Sequence, residues 1–274
     1  MLHIIQENLF RESHYNLLIG VLKKYEIPHI IVRIYPFVDW VVDMKNVPEE
    51  FVNVEDLPQI EPKGEVWCWG SLTMTRICKE RGWNPGTMIN ENHNYEVYSK
   101  WWGNLLLNYD SEIMTIGSEL LWERGELFLR PVEDNKAFTG SIFDKEKWDN
   151  TLKAYLKEEG YKDFHKDTRI QVSTPKKIYS EIRLWIVGGK VITGSYYQLG
   201  GKVYLNKDIS PEALGFANSV ISKGELAEAW VLDICQSDSG WKVVEAGCIN
   251  HAGFYASELD KTVEAVENHF SISS

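Results

Sequence analysis

No cysteine in this chain has a partner at metal-binding spacing. The four cysteines stand at 68, 78, 235 and 248, and none forms a Cys-x-x-Cys pair. That spacing argues against a zinc site. In a chain of 274 residues they do not make a disulfide framework either, so reduced thiols are expected. No apolar run is long enough to span a bilayer. The first eight residues lack the basic and long apolar parts of a signal peptide. A cytoplasmic protein with no membrane contact is the expectation. There is no sustained Lys/Arg run, and Lys176–Lys177 is too short to count as one. The net charge of −11 repels nucleic-acid phosphates, which disfavours generic DNA or RNA binding and leaves a tRNA or protein partner open. Internal repeats and low-complexity tracts are also missing.

What is present suits an ordinary globular protein of one large domain or two small ones. Hydrophobic residues make up 44% and charged residues 25%. Eleven tryptophans point to a well-packed core, with some available to line a cleft. In the first hundred residues a helical stretch around Asn16–Leu22 is followed by β-rich runs at Ile30–Ile34 and Val38–Val42. Pro48, Pro58 and Pro62 make residues 47–64 a loop. A strand is expected over Glu65–Gly70, and a helix capped by Ser71 runs to about Glu80, closed by a turn at Trp83–Gly86. Alternating strands and helices suggest an α/β unit with a parallel sheet.

A second unit begins near Asp110. Glu126–Pro131 reads as a strand. Asp144 caps a helix to about Glu159, stopped by Gly160, with Trp148, Leu152, Tyr155 and Leu156 on one face. In the third unit Tyr179–Val187 and Lys190–Tyr197 form a hairpin through Gly188-Gly189, whose glycines permit the positive φ of a tight turn. Ser210-Pro211 opens a helix ending near Gly224. Ala229–Ile234 and Trp241–Ala246 are strands joined by a turn at 237–240, and Ser257 starts a last helix to about Phe270.

Three places carry residues with chemical potential. A strand delivers Arg130, and the following Gly/Ser-containing loop delivers Lys136; such cations can cradle polyphosphate. On chemistry alone, two basic residues six apart are more often solvated surface. Strand alternation puts Glu181, Arg183 and Trp185 on one face. A surface ion pair is the favoured reading of Glu181 and Arg183 without further context. Asp233 and Glu245 differ. Both are embedded in apolar strands joined by a turn, and acids so placed are costly to bury unless paired or metal-bound. With the amide of Asn250 they make a hard-oxygen set suited to Mg²⁺ carrying nucleotide phosphates. His93, His165 and His251 read as structural, although His251 is close enough to Asn250 to touch a substrate. Cys248 has nothing nearby to activate it. Trp101-Trp102 reads as packing between subdomains, and Trp67–Trp69 as a buried strand.

The order of these pieces resembles the ATP-grasp superfamily. In particular it is similar to a divergent clade that uses an Arg together with Lys residues at the nucleotide site. That clade includes an assembly chaperone for a translation initiation factor, and bacterial and phage proteins. The resemblance runs from about Gly125 to Ala256. It rests on Leu129–Pro131 with Lys136–Gly140, on Glu181–Val187, on the Gly-Gly hairpin into Gly194–Tyr197, on Val231–Asp233, and on Trp241–Ala246 with Asn250–Tyr255. It implies two α+β subdomains clasping ATP, preceded by an N-terminal α/β unit. The expected division is 1–110, 111–170 and 171–274.

The resemblance also implies roles. Arg130 and Lys136 contact ATP phosphates. Gln171, Val172 and Ser173 are the hinge that meets adenine through the backbone. Glu181 and Arg183 face the phosphate end, with Arg183, Lys136 and Glu181 the catalytic candidates. Asp233, Glu245 and Asn250 hold Mg²⁺, and Asp233 also belongs to the nucleotide site. One departure stands out. The superfamily's Glu-x-Asn is here Glu245-Ala246-Gly247, and Asn250 is the candidate replacement for the missing amide. The implied activity is an ATP-dependent carboxylate–amine ligase working through an acyl phosphate, on substrates that include a peptide or protein end. A kinase of the same fold, or a nucleotide-binding assembly factor without catalysis, are the rival expectations.

Overall fold

The structure, a computed structural model, describes residues 1–7, 12–35, 38–48, 53–123, 125–132, 138–155 and 165–271. It contains three sheets. The first is built from strands β1 (Leu2–Gln6), β2 (His29–Tyr35), β3 (Trp40–Asp43), β4 (Val66–Trp69) and β5 (Pro85–Gly86), with helices α1 (Glu12–Lys24) and α2 (Leu72–Arg81) between them. Its order is β3-β2-β1-β4-β5. The β2–β1–β4–β5 pairings are parallel, as the strand–helix alternation predicts, and β3 adds antiparallel at the edge. Ser71 stands at the N-cap of α2 but its side chain makes no capping bond. Its N–H instead donates to Gln6 Oε1 at 2.8 Å, which ties the helix start to β1. The turn expected at Trp83–Gly86 is in part the short strand β5.

Helix α3 (Tyr95–Trp102) leads to the middle sheet. That sheet contains β6 (Glu112–Thr115), β7 (Glu126–Pro131), β8 (Ser141–Asp144) and β9 (Arg169–Ser173), in the order β6-β9-β7-β8, with helix α4 (Lys145–Tyr155) against it. Asp144 Oδ1 accepts the Lys147 N–H at 2.7 Å, the cap expected of it. Trp148 and Leu152 turn one face of α4 onto Leu127, Leu129, Phe143 and Ile170. Leu156, and the helix end predicted near Glu159 and Gly160, lie outside the described residues. Strand β9 belongs wholly to this sheet, so the boundary expected at 170/171 moves to the linker after Ser173.

The largest sheet holds β10 (Ile178–Val187), β11 (Lys190–Leu199), β12 (Lys202–Asn206), β13 (Ala229–Ser237) and β14 (Gly240–Cys248). All its pairings are antiparallel, in the order β12-β11-β10-β13-β14. Gly188 and Gly189 have φ of 55° and 70°, the left-handed pair that a two-residue hairpin turn needs. Helix α5 (Pro211–Ile221) opens as predicted, with Ser210 Oγ accepting the Ala213 N–H. The last helix, α6 (Leu259–Phe270), begins two residues after Ser257.

Alternation along β10 and β13 decides what each face of this sheet covers. Ile182, Leu184, Ile186, Trp230, Leu232 and Ile234 point to one side and bury against α5 and α3. There Trp102 stacks on Trp230 at 5.7 Å, so the Trp101-Trp102 pair does serve packing. Trp185, Val187, Ala229 and Val231 point to the other side. They pack with α6, α1 and the Trp67 and Trp69 of β4. Each large apolar side chain so buried stabilises the fold by roughly 1.5–3 kcal/mol. This second core welds the N-terminal sheet to the C-terminal one. Further along the same face the residues become charged, and the face opens toward the middle sheet.

Candidate functional site

The charged residues form one row across the large sheet. Ser195 of β11, Arg183 of β10, Asp233 of β13 and Glu245 of β14 stand directly opposite one another in register. A bulge makes the last member possible. Strict alternation would put Val243 and Glu245 on the same face, yet Val243 is in the core. The register shifts on β14 between the partners of Asp233 and Ile234. The extra residue turns Glu245 to the side of Asp233, a usual consequence of a β-bulge. A second shift on β11 lets Tyr197 reach Glu181, to whose Oε2 its hydroxyl donates at 2.8 Å.

Opposed carboxylates repel, so Asp233 beside Glu245 needs cations. Arg183 supplies a two-pronged contact. Its Nε donates to Asp233 Oδ1 at 2.8 Å and its Nη2 to Oδ2 at 2.7 Å. The same Nη2 is 3.9 Å from Glu245 Oε1. Arg130 of β7 reaches across from the middle sheet, its Nη2 3.3 Å from Glu245 Oε2. The Arg183 guanidinium also lies over the Tyr255 ring at 5.2 Å, a cation–π contact. Tyr255 in turn stacks on Tyr197 at 4.9 Å. Tyr255 holds a left-handed backbone (φ 52°), which is uncommon for a bulky residue and points to a constraint at this position.

Burial sets the electrostatics. Asp233 is only 2% exposed. Burial pushes its carboxyl above the usual carboxylate range, with the Arg183 fork opposing. Burial also works against the Arg183 charge, but Asp233 and its hydrogen bonds outweigh it and hold the guanidinium's pKa above its ordinary value. Glu181 is raised by burial, partly offset by the Tyr197 hydrogen bond and reinforced by Asp233 and Glu245. Tyr197 is raised too, by burial and then by the negative charges of Asp233 and Glu181, so it stays a phenol that donates.

In front of this row lies a cleft of about 620 Å³ between the middle and large sheets. Phe128, Phe138 and Ile142 give it an apolar side, while Arg130, Lys176, Glu181 and Glu245 give it charge. A flat apolar wall beside convergent cations suits a ring joined to an anionic chain. The structure thus gathers Arg130, Glu181, Arg183, Asp233 and Glu245 from three parts of the sequence. Lys136 lies outside the described residues.

Two expectations are corrected. Gln171, Val172 and Ser173 form the end of β9, and none of them lines the cleft. Gln171 is buried, with its Nε2 donating to Ser111 Oγ at 2.7 Å. The wall on that side is made by Lys176 and Ile178, beyond the strand end. Asn250 is not brought to the carboxylates. It is fully buried, and its Nδ2 donates to the Cys68 carbonyl at 2.7 Å while its Oδ1 accepts the Met88 N–H at 2.7 Å. Its amide therefore ties the N-terminal unit to β14 and does not replace the one missing at Gly247.

Sequence reasoning missed Lys176, Tyr197 and Tyr255. The sequence offers Lys176 only as half of a basic pair too short to count. Here its Nζ sits 2.6 Å from Asp110 Oδ2 and 2.8 Å from Thr174 Oγ1 at the cleft edge. The two tyrosines carry no signal apart from lying within the stretches that resemble ATP-grasp proteins.

A Mg²⁺ ion fits the donor set in part. Asp233 and Glu245 are hard oxygen donors side by side. Among the described residues no group of three or more His, Cys, Asp or Glu forms a cage of its own. Mg²⁺ is commonly held by one or two carboxylates together with substrate phosphates, which is what this arrangement offers.

Comparison with known proteins agrees with this architecture. The D-alanine–D-alanine ligase from Coxiella burnetii superposes with a TM-score of 0.61 at 10% identity, covering 98% of this chain and 94% of that one. The D-alanine–D-alanine ligase from Bacillus anthracis complexed with ATP gives 0.56 at 14% identity, covering 98% and 93%. A RimK domain protein ATP-grasp from Sphaerobacter thermophilus gives 0.55 at 11%, covering 90% and 91%. At such identities the likeness shows the fold. No curated protein matches the chain by sequence. No described helix is long and apolar enough to cross a membrane. The profile for the ATP-grasp domain of the arginine-and-lysine clade, family 3, matches residues 47–266, most of the chain, and the protein belongs to that family.

Proposed function

We propose that the cleft binds MgATP and that the protein uses it to join a carboxylate to an amine. The observation that carries this reading is the row Arg183–Asp233–Glu245 with Arg130 set against it from the facing sheet. Adenine would lie against Phe128, Phe138 and Ile142, and the phosphates would run toward Arg130, Lys176 and Arg183. Lys136, in the segment between β7 and β8, is a further candidate for the phosphates. Asp233 and Glu245 would hold Mg²⁺, which supplies charge neutralisation on the phosphates when bound.

The chemistry needs positioning and cations rather than a protein nucleophile. A substrate carboxylate oxygen attacks the γ-phosphorus and ADP leaves. The amine then attacks the acyl carbon and phosphate leaves. Arg130 and Arg183 stand where negative charge builds on the transferred group. Structural neighbours described as ligases support this class, and the substrate end of a peptide or protein remains our reading of the acceptor.

A second reading has its own support. Gly247 lacks the amide and Asn250 is committed elsewhere, which favours a nucleotide-binding assembly factor with weak or no turnover. Calorimetric titration of ATP with and without Mg²⁺, on wild type and on Arg130→Ala and Glu245→Gln, tests the site. Mg²⁺-dependent binding weakened by both substitutions is expected, and ADP release with a carboxylate–amine pair would establish the ligase. A stable phosphorylated product without any amine would indicate a kinase. Nucleotide binding with a stable protein complex and no turnover would favour the assembly factor. No ATP binding at millimolar concentration would refute the nucleotide site.

A further inference from the structure

A smaller pocket of about 150 Å³ adjoins the arginine–carboxylate row and shares Arg130 and Glu245 with the main cleft. Its lining carries both signs of charge, Arg130 and Arg183 against Asp233 and Glu245, and His93 and His251 add two imidazole rings. Gly247 of β14 also lines it, opposite Val231 in register.

Glycine in a strand usually marks a left-handed backbone or a close approach. Gly247 shows neither. Its φ is outside the left-handed region, and a Cβ built on it would meet only Val231 Cγ2, at 3.7 Å, an ordinary contact. Gly194 and Gly224 are different, since a Cβ there would come within 2.6 Å of Leu184 and of the Trp101 ring. At Gly247 the fold would accept a side chain, and that side chain would enter the pocket.

We propose that Gly247 determines specificity: its missing side chain keeps open a pocket that takes one amino-acid-sized zwitterion beside the phosphate-handling arginines. A cavity of about this volume admits a molecule of about six heavy atoms, the size of alanine. The guanidinium pair suits its carboxylate, and the Asp233 and Glu245 oxygens suit its ammonium. The assignment rests on the main cleft being the nucleotide site.

The test uses glycine, alanine and leucine as probes in saturation-transfer NMR, with Mg²⁺ and a non-hydrolysable ATP analogue present. Wild type, Gly247→Ala and Gly247→Leu are compared, and MgATP affinity is measured in parallel by calorimetry. Wild type should bind glycine and alanine. Gly247→Leu should weaken both by about tenfold or more, and Gly247→Ala by less, the scale expected for added methylenes in a tight pocket. MgATP affinity should stay unchanged in both variants. If Gly247→Leu fails to fold, the graded loss in Gly247→Ala decides. A wild type that binds MgATP but neither amino acid overturns the pocket and leaves the nucleotide reading intact. So does a Gly247→Ala variant with unaltered amino-acid binding. Gly247→Asn strengthening Mg²⁺ dependence while amino-acid binding persists would mark a vacated metal ligand instead, and would also overturn it. No MgATP binding by wild type sinks both readings together.

Discussion

Arg183 and Asp233 face each other across β10 and β13 and are joined by two parallel hydrogen bonds of 2.8 and 2.7 Å. Both side chains are largely withdrawn from water, so neither charge can be solvated if the other is removed. Asp233→Ala would leave a guanidinium held among Tyr255, Glu245 and apolar strand neighbours. Breaking a buried pair in this way costs about 3–5 kcal/mol. We expect Asp233→Ala to lower urea stability on that scale, and the double variant Asp233→Leu with Arg183→Met to recover most of it. A loss under about 1 kcal/mol in the single variant would show that the pair is solvated and weak.

Glu181 gives the fold a pH dependence. Its carboxyl is raised by burial above the ordinary value of 4.5, so the folded state binds its proton more tightly than the unfolded chain does. Its stabilising contribution is therefore complete below the ordinary value and is lost as pH rises through the folded one. Glu181→Gln should remove that decline, which urea titrations at several pH values above 4.5 would detect as a flatter profile. Tyr197→Phe should act the opposite way. Without the hydroxyl that favours the carboxylate, the decline should extend to higher pH. Identical profiles for wild type and Glu181→Gln would show that Glu181 is solvated.

Long periodic elements were legible in the sequence, and short ones were not. The hairpin of β10 and β11, helix α5 with its Ser-Pro start and the pair β13–β14 all carry strong local signals, and all stand where they were expected. Strands β1, β6, β8 and β12 have five residues or fewer and no alternation that stands out. At the site, Asp233 was legible because an acid inside an apolar strand demands a partner. That its partner is Arg183 depends on antiparallel register, which the sequence does not display. Asn250 misled for a related reason. An amide near a metal strand looks like a ligand, and only the fold shows that Cys68 and Met88, far off in sequence, already use it.

His3 should respond to pH with the opposite sign. It is fully buried between β1 and α6. Its Nδ1 faces the Trp69 indole N–H at 3.0 Å, so Nδ1 must accept and Nε2 must carry the proton toward Glu267 Oε1 at 2.8 Å. Protonating Nδ1 would set two donors against each other. Burial lowers the imidazole below its ordinary value of 6.5, against the pull of Glu267. The stability this confers is complete above 6.5 and lost as pH falls toward the folded value. Long-range ¹⁵N correlation spectra should show a neutral Nε2–H tautomer persisting below pH 6.5. A doubly protonated ring at that pH would contradict the Trp69 contact.

Asn250 separates structure from catalysis. Its Nδ2 reaches the carbonyls of Cys68 and Gly86, at 2.7 and 3.4 Å, and its Oδ1 accepts from Met88 N and from Cys248 Sγ, at 2.7 and 3.2 Å. Its own carbonyl also accepts the Gly70 N–H at 3.2 Å. The amide thus holds β4 and the segment after β5 against the end of β14. In Asn250→Ala the carbonyl of Cys68 and the N–H of Met88 lose these partners, at about 1–3 kcal/mol for each group left unsatisfied. We expect Asn250→Ala to lose about 2–5 kcal/mol in urea unfolding, while the folded variant binds MgATP as wild type does. Asn250→Asp should rescue little, because a carboxylate cannot donate to the Cys68 carbonyl. A metal ligand would behave in the reverse way, with stability kept, Mg²⁺ dependence of nucleotide binding lost, and Asn250→Asp the better of the two variants. Measuring both quantities on both variants therefore distinguishes a residue that fastens two sheets together from one that holds an ion.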